Sequence, residues 1–300
     1  MKSVQLSIFI LIAIGLSISG CLDETEEILG INDDVLFVEE PFVPSDASGL
    51  MMWLDASDPA TLFTDATCEV TFVENDGDPI GCWKDKSGNS FHGTQAVADR
   101  RPELALGIQN GLNGIYFQDS NNENFQIPSG SWQSGSEFSA YIVYFQETTD
   151  EIGTLFATAN GALTDFAMTS RPLNGTNKNK YLDHSIWRYS STNTAGDWNI
   201  DAFNRSGANM SYYLDGLLDG QFNGLTNPSP SIATIGSYTN NTNVLNGHIA
   251  EILWYSNSLN NLDRQKVEGY LAHKWGLAFQ LPSDHPYREK SPNTDVQVSL

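Results

Sequence analysis

Three cysteines, five histidines and a crowd of aspartates are the side chains of this chain that could do chemistry. Cys68 and Cys82 flank a loop rich in Asp and Gly. In an exported chain a disulfide closing that loop is the simple reading, worth about 3 kcal/mol of loop entropy. Two free thiols are the alternative. A metal site has less support, since no Cys-x-x-Cys and no paired His is nearby. His92, His184, His248, His273 and His285 form no His-Glu-x-x-His run, and spacing pairs none of them with an orienting carboxylate. Asp55, Asp58, Asp76, Asp78 and Asp85 crowd the N-terminal loops. Six to eight such oxygens would suit calcium; the plainer reading is that they cap the amides of local turns. Trp132, Trp187, Tyr189 and Trp198 lie among Asn, Asp and Thr. Rings in such company can stack on sugar faces while the polar neighbours bond hydroxyls; the alternative is core packing. Glycan hydrolysis needs two carboxylates at a controlled separation. Glu251 sits on a predicted strand, but its i−2 and i+2 neighbours are Ile249 and Leu253. Asp197 and Asp201 bracket Trp198 without a Glu partner. Nucleophile elbows, phosphate loops and dinucleotide fingerprints are missing.

These residues need an address and a scaffold. Met1 and Lys2 precede an apolar run, Val4 to Ile18, too short to span a bilayer comfortably. It reads as a signal-peptide core, residues 1–20. The run ends Ile18-Ser19-Gly20-Cys21, which resembles the lipobox of prokaryotic lipoproteins. That resemblance implies Cys21 as the lipidated mature N-terminus, and therefore an extracytoplasmic protein held to membrane or cell surface by lipid alone. Position 22 is Leu; an Asp there retains some lipoproteins at the inner membrane. Residues 22–46 then carry Asp23, Glu24, Glu26, Glu27, Asp33, Asp34, Glu39, Glu40 and Asp46 with no Lys or Arg. Like-charge repulsion and two prolines extend such a segment, so 21–47 reads as a flexible tether, with Val35 to Val38 able to form an edge strand.

Lys plus Arg is 15 against 37 Asp plus Glu, a net charge of −22. That excludes nucleic acid and anionic lipid surfaces as partners, both of which need clustered cations. Beyond the tether, short alternating runs predict strands at 50–55, 114–118, 138–146, 154–158, 185–190, 198–203, 210–215 and 248–255. Tyr141, Val143 and Phe145 alternate with Ile142 and Tyr144, so both faces of that strand are apolar and it should be central. Asp215-Gly216 supplies a tight hairpin turn. Many short strands with Gly and Asn turns predict an all-β sandwich. Asn260 as cap, a stripe of Leu262, Val267, Tyr270, Leu271 and Trp275, and Gly276 as stop predict a helix over 259–276. Arg264, Gln265 and Glu268 should face water. His273, Lys274 and Trp275 then serve packing, not catalysis.

Two groups of motifs go together. The first is Trp53-Leu54-Asp55-Ala56-Ser57-Asp58-Pro59 followed by Trp83-Lys84-Asp85-Lys86-Ser87-Gly88-Asn89, His92, Gln95 and Arg101-Pro102. The second is Asn246-Gly247-His248-Ile249-Ala250-Glu251-Ile252-Leu253, then Val267-Glu268-Gly269-Tyr270-Leu271-Ala272-His273-Lys274-Trp275-Gly276, then Leu281-Pro282-Ser283-Asp284-His285-Pro286-Tyr287. Together they resemble the concanavalin A-like, laminin-G-like domains of secreted prokaryotic proteins. The resemblance spans 48–290 and leaves 291–300 as a flexible tail. It implies a two-sheet jelly roll with first and last strands adjacent and one C-terminal helix packed on it. It leaves three functions open: a non-catalytic lectin-like module for extracellular carbohydrate or a surface partner, a glycan hydrolase, and an adhesive protein. The run of alternating carboxylates that hydrolases of the laminarinase type carry on one strand is missing, which favours the module. Some domains of this kind use calcium. Asn174, Asn204, Asn209 and Asn240 begin Asn-x-Ser/Thr triplets, which mark surface loops where a host glycosylates.

Overall fold

Alternation that is apolar on both faces obliges a strand to sit between two cores, and the computed structural model is built around that strand. It describes residues 35–128, 135–147, 152–160, 163–170, 178–183, 186–190, 192, 194, 196–226, 232–238 and 241–299. In chain order the strands are β1 (Val35–Pro41), β2 (Leu50–Asp55), β3 (Leu62–Phe63), β4 (Cys82–Trp83), β5 (Gly93–Thr94) and β6 (Glu103–Gln109). Next come β7 (Leu112–Phe117), β8 (Phe125–Ile127), β9 (Glu137–Gln146), β10 (Gly153–Asn160), β11 (Leu163–Ser170) and β12 (Lys178–Asp183). The last are β13 (Ile186–Ser190), β14 (Trp198–Ser206), β15 (Asn209–Leu214), β16 (Leu217–Phe222), β17 (Ile232–Ile235), β18 (Gly247–Tyr255) and β19 (Asn293–Ser299), with helix α1 (Asn261–Lys274) between β18 and β19.

Residues 42–292 make one compact unit of two antiparallel sheets. One runs β16-β15-β14-β9-β18-β7-β6, with β2 also pairing β18; the other runs β13-β12-β11-β10-β17-β8-β5-β4-β3. β9 lies between β14 and β18, as its two apolar faces demand. Its Phe138, Ala140, Ile142 and Tyr144 enter the core shared with the other sheet, where Phe156, Phe166 and Trp254 stack. Its Tyr141 and Val143 enter a second core beneath α1. β2 and β18, the first and last strands of this unit, are neighbours. All eight strands predicted from the pattern are present. The Asp215-Gly216 turn has φ of 49° and 79°, positive at both central positions as a two-residue hairpin requires.

α1 keeps its predicted ends. Asn260 Oδ1 accepts from Asp263 N at 3.0 Å. At the other end Leu277 N donates to Ala272 O and Gly276 N to His273 O, the paired bonds of a left-handed helix stop. Its faces need correction. Leu262 is 55% exposed, whereas Arg264 and Glu268, expected in water, are 5% and 0% exposed. Leu262 and Leu271 are nine residues apart, which at about 100° per residue places them on opposite sides. Arg264 and Glu268 instead fall on the arc of Leu271 and Trp275. They are tolerated there because they satisfy each other. The Arg264 guanidinium bonds both Glu268 oxygens at 2.5 and 2.6 Å and lies over the Tyr213 ring at 3.9 Å. His285 accepts Tyr287 N at Nδ1, so its proton is on Nε2, facing Glu268 Oε2 at 3.2 Å. Gly269 is required by close approach: a Cβ there would lie 2.5 Å from that of Tyr287.

A separate unit is the antiparallel pair of β1 with β19, registered from Val35 opposite Ser299 to Pro41 opposite Asn293. The tether's last part, where Val35 to Val38 could form an edge strand, and the C-terminal segment, expected to be flexible, are strands here. Both segments are rich in Val and β-formers, and pairing satisfies backbone groups that neither could satisfy alone.

Candidate functional site

The helix-bearing face of the sheet that contains β9, β14 and β18 collects what chemistry the fold offers. At its centre, under the end of α1, lies a closed polar knot. Asp55 and Glu251 are direct cross-strand partners on β2 and β18. A register shift between Ile249 and Glu251 turns the Glu251 side chain toward α1, on the side of Leu253 and away from Ile249. Glu251 Oε1 accepts from Trp53 Nε1 at 2.8 Å and Tyr270 OH at 3.1 Å; Oε2 accepts from Lys274 Nζ at 2.7 Å and Trp275 Nε1 at 2.8 Å. Lys274 Nζ also lies 2.7 Å from Asp55 Oδ1, and Lys86 Nζ 2.9 Å from Asp55 Oδ2. Ser57 donates to Asp55 Oδ1 from N and Oγ. Burial pushes the Glu251 carboxyl up, the Asp55 charge adds to it, and Lys274 with the tryptophan donor partly offsets both. Burial also raises Asp55, but Lys274, Ser57 and Lys86 outweigh it and hold that carboxyl below its ordinary value. Two carboxylates with divergent acidities usually mark a catalytic pair. Here neither is open to a ligand: they are 3% and 0% exposed and every acceptor direction on Glu251 is used.

At one end of the same face a row of rings crosses four strands. Tyr116, His248, Phe145 and Trp198 are consecutive cross-strand partners on β7, β18, β9 and β14. Adjacent ring centroids lie 4.8, 6.0 and 5.8 Å apart. The four are half-buried. Burial brings the His248 imidazole down to about 4, so it is neutral at physiological pH. Tyr116 OH and Asn246 Nδ2 both donate to Glu147.

At the opposite end, where β14 finishes, the face opens into a groove of about 310 Å³. Asn204, Ser211 and Gln221 form one cross-strand row, Ser206, Asn209, Asn223 and Ser258 continue the wall, and Met210 and Phe222 add apolar surface to it. No charged side chain lines it. Asn204 is fixed in place: its Oδ1 accepts from Ser139 Oγ and Ser258 Oγ, and its Nδ2 donates to Leu259 O. Ser206, Asn209, Gln221 and Asn223 are exposed. Trp198 opens β14 and the groove begins at Asn204, so about 20 Å of strand separates the ring row from the groove.

Cys68 and Cys82 are joined in a disulfide, both buried. The five aspartates do not converge. Asp55 and Asp58 hold Lys86, Asp76 accepts Leu106 N, and Asp78 accepts Asn75 N. Asp85 accepts the amides of Trp53, Ser87 and Phe91. Among the described residues no three His, Cys, Asp or Glu side chains are placed to hold a metal, because these carboxylates are committed to lysines and amides. Trp198 belongs to the ring row; Tyr189 is 45% exposed on β13, apart from it. Trp132, His184, Asn174, Asn240 and Cys21 lie outside the described residues, and for Trp187 only the β13 backbone is described. Asn204 is on a strand with its amide fully bonded, not in a loop. Gln221, Asn223 and Ser258 were not singled out from sequence, since neutral polar residues are common on any surface.

No family model matches the chain, and no curated protein does either. Solved structures do. Domain 4 of the extracellular arabinanase AbnA of Geobacillus stearothermophilus, in complex with arabinotriose, matches with a TM-score of 0.51 at 15% identity, over 72% of this chain and 97% of that one. The binding domain of Paraclostridial Mosquitocidal Protein 1 matches at 0.50 and 13% identity, over 74% and 52%. Trypanosoma rangeli sialidase matches at 0.49 and 14% identity, over 79% of this chain and 36% of that one. At these identities the likeness to the arabinanase domain and the toxin domain is one of fold alone, a two-sheet sandwich.

Proposed function

We propose that this is an extracytoplasmic lipoprotein, anchored through Cys21, whose concanavalin A-like, laminin-G-like sandwich binds uncharged carbohydrate without cleaving it. The groove carries the reading. Amides and hydroxyls can donate to and accept from sugar hydroxyls, and a lining without charge suits a ligand without charge. Its volume is at the lower end for a small-ligand site, about 300–1,000 Å³, which fits one or two sugar rings. That the similar arabinanase domain is in complex with arabinotriose agrees with a sugar ligand. Sealing of Asp55 and Glu251 by lysines and indoles argues against hydrolysis at that pair. A second reading, adhesion to another protein, draws on Ile186, Tyr189, Leu217 and Leu218, all exposed on the edge strands β13 and β16.

The test is an oligosaccharide array probed with the detergent-solubilised full-length protein. Neutral glycans should retain it and sialylated or uronate-bearing ones should not. Retention by acidic glycans alone, or by none, overturns the reading. For the anchor, mass spectrometry of the native N-terminal peptide should find diacylglycerol on Cys21; a peptide with unmodified Cys21 contradicts it.

A further inference from the structure

The polar knot beneath α1 has the parts of a self-condensing cross-link. We propose that Lys274 and Asp55 become joined by an intramolecular isopeptide bond, with Glu251 carrying the protons. The requirements are a nucleophilic amine, a carboxyl group within reach, a second carboxylate touching the amine, and exclusion of water. Each is in place. Lys274 Nζ is 2.7 Å from Asp55 Oδ1 and 2.7 Å from Glu251 Oε2. Asp55 and Glu251 are buried, and the Lys274 side chain is 17% exposed. Trp53, Tyr270 and Trp275 wall the knot and fix Glu251 by hydrogen bonds. Lys86, 2.9 Å from Asp55 Oδ2, is placed to stabilise an oxyanion there.

The step balances without an added reagent. The Lys274 ammonium passes a proton to Glu251 Oε2, and the free amine attacks Asp55 Cγ. Negative charge gathers on Oδ2 against Lys86. A second proton leaves the nitrogen, both protons pass to Oδ1, which shares the Lys274 nitrogen with Glu251 Oε2, and Oδ1 departs as water. One C–N bond forms and one C–O bond breaks; an ammonium and a carboxylate become a neutral amide and one water. Burial favours the product, because an amide is far easier to desolvate than the two ions it replaces. Burial also raises the Glu251 carboxyl, which helps it hold a proton in transit. The bond would tie β2, at the start of the sandwich, to the last turn of α1, at its end.

Mass spectrometry of the purified full-length protein after thiol reduction tests this on the wild-type chain. The expected result is a mass about 18 Da below that of the linear processed chain, one water lost in the condensation. Proteolysis should give a branched peptide joining the Asp55 and Lys274 segments. Lys274→Arg keeps a cation without the nucleophile and should restore the full mass. Glu251→Gln should abolish or slow the bond at least tenfold. A wild-type mass with no loss of water, and Lys274 and Asp55 in separate linear peptides, overturns the proposal. A Glu251→Gln protein that cross-links as fully as wild type overturns the role given to Glu251.

Discussion

Glu251 is a buried carboxylate whose two oxygens accept four hydrogen bonds, from Trp53, Tyr270, Lys274 and Trp275. By alternation it stood between two apolar neighbours with no carboxylate in reach. A register shift re-aims it, and its donors come from Trp53, far earlier, and from the helix that follows. Arg264 and Glu268 make the same point, since their polarity argued for a wet face that packing overrode. Burying that pair is tolerable only while both partners remain. Arg264→Ala strands the Glu268 charge and should lower stability by about 3–5 kcal/mol. Replacing both by Met and Leu should cost much less, as paired denaturant titrations can show. His248 gives a pH signature. Its native value of about 4 lies below the unfolded 6.5, so between those values the unfolded chain binds a proton that the native state refuses. Stability therefore falls as pH drops through that window, on the order of 3 kcal/mol in total. His248→Phe should remove this component. An unchanged pH slope in the variant would show that the ring is not held neutral.

At the scale of elements the legible parts were those with strong period or punctuation. Eight strands and the helix ends could be read, because alternation, Asn260 and Gly276 are local signals. The two-residue strands β3, β4 and β5 escaped because they carry no period, β6, β8, β11, β12 and β17 escaped as well, and the pairing of β1 with β19 could not be read because it is not local. α1 is short and must be held by docking. Trp275 is fully buried, with its Nε1 on Glu251. Trp275→Ala should cost about 3–5 kcal/mol in thermal or denaturant unfolding. Loss of glycan binding in a Trp275→Ala protein that melts normally would place α1 in the binding site. The disulfide belongs to this scale too. It closes the loop from Cys68 to Cys82, which ends at β4, and Cys68→Ser with Cys82→Ser should remove about 3 kcal/mol, read as a lower denaturation midpoint. A midpoint unchanged by the double variant would mean that the loop is held by its other contacts.

The whole molecule was legible as a class and illegible as a binder. The Trp53 and Lys274 motifs pointed to a two-sheet sandwich with adjacent first and last strands, and the structure has that topology. Those same motifs build the knot and the helix seat, so the strongest sequence signals mark what holds the protein together. The groove is made of Asn, Ser and Gln, with Met210 and Phe222, from β14, β15, β16 and the turn before α1, residues that acquire meaning only when three strands lie side by side. Calorimetric titration of the full-length protein with a neutral oligosaccharide, for wild type, Asn209→Ala and Gln221→Ala, tests the central claim most directly, with Tyr189→Ala, an exposed ring on β13 outside the groove lining, as the comparison. Each groove variant should weaken binding about tenfold or more, roughly 1.4 kcal/mol, while melting as wild type, and Tyr189→Ala should bind unchanged. Groove variants that bind as tightly as wild type, with Tyr189→Ala impaired, would contradict it.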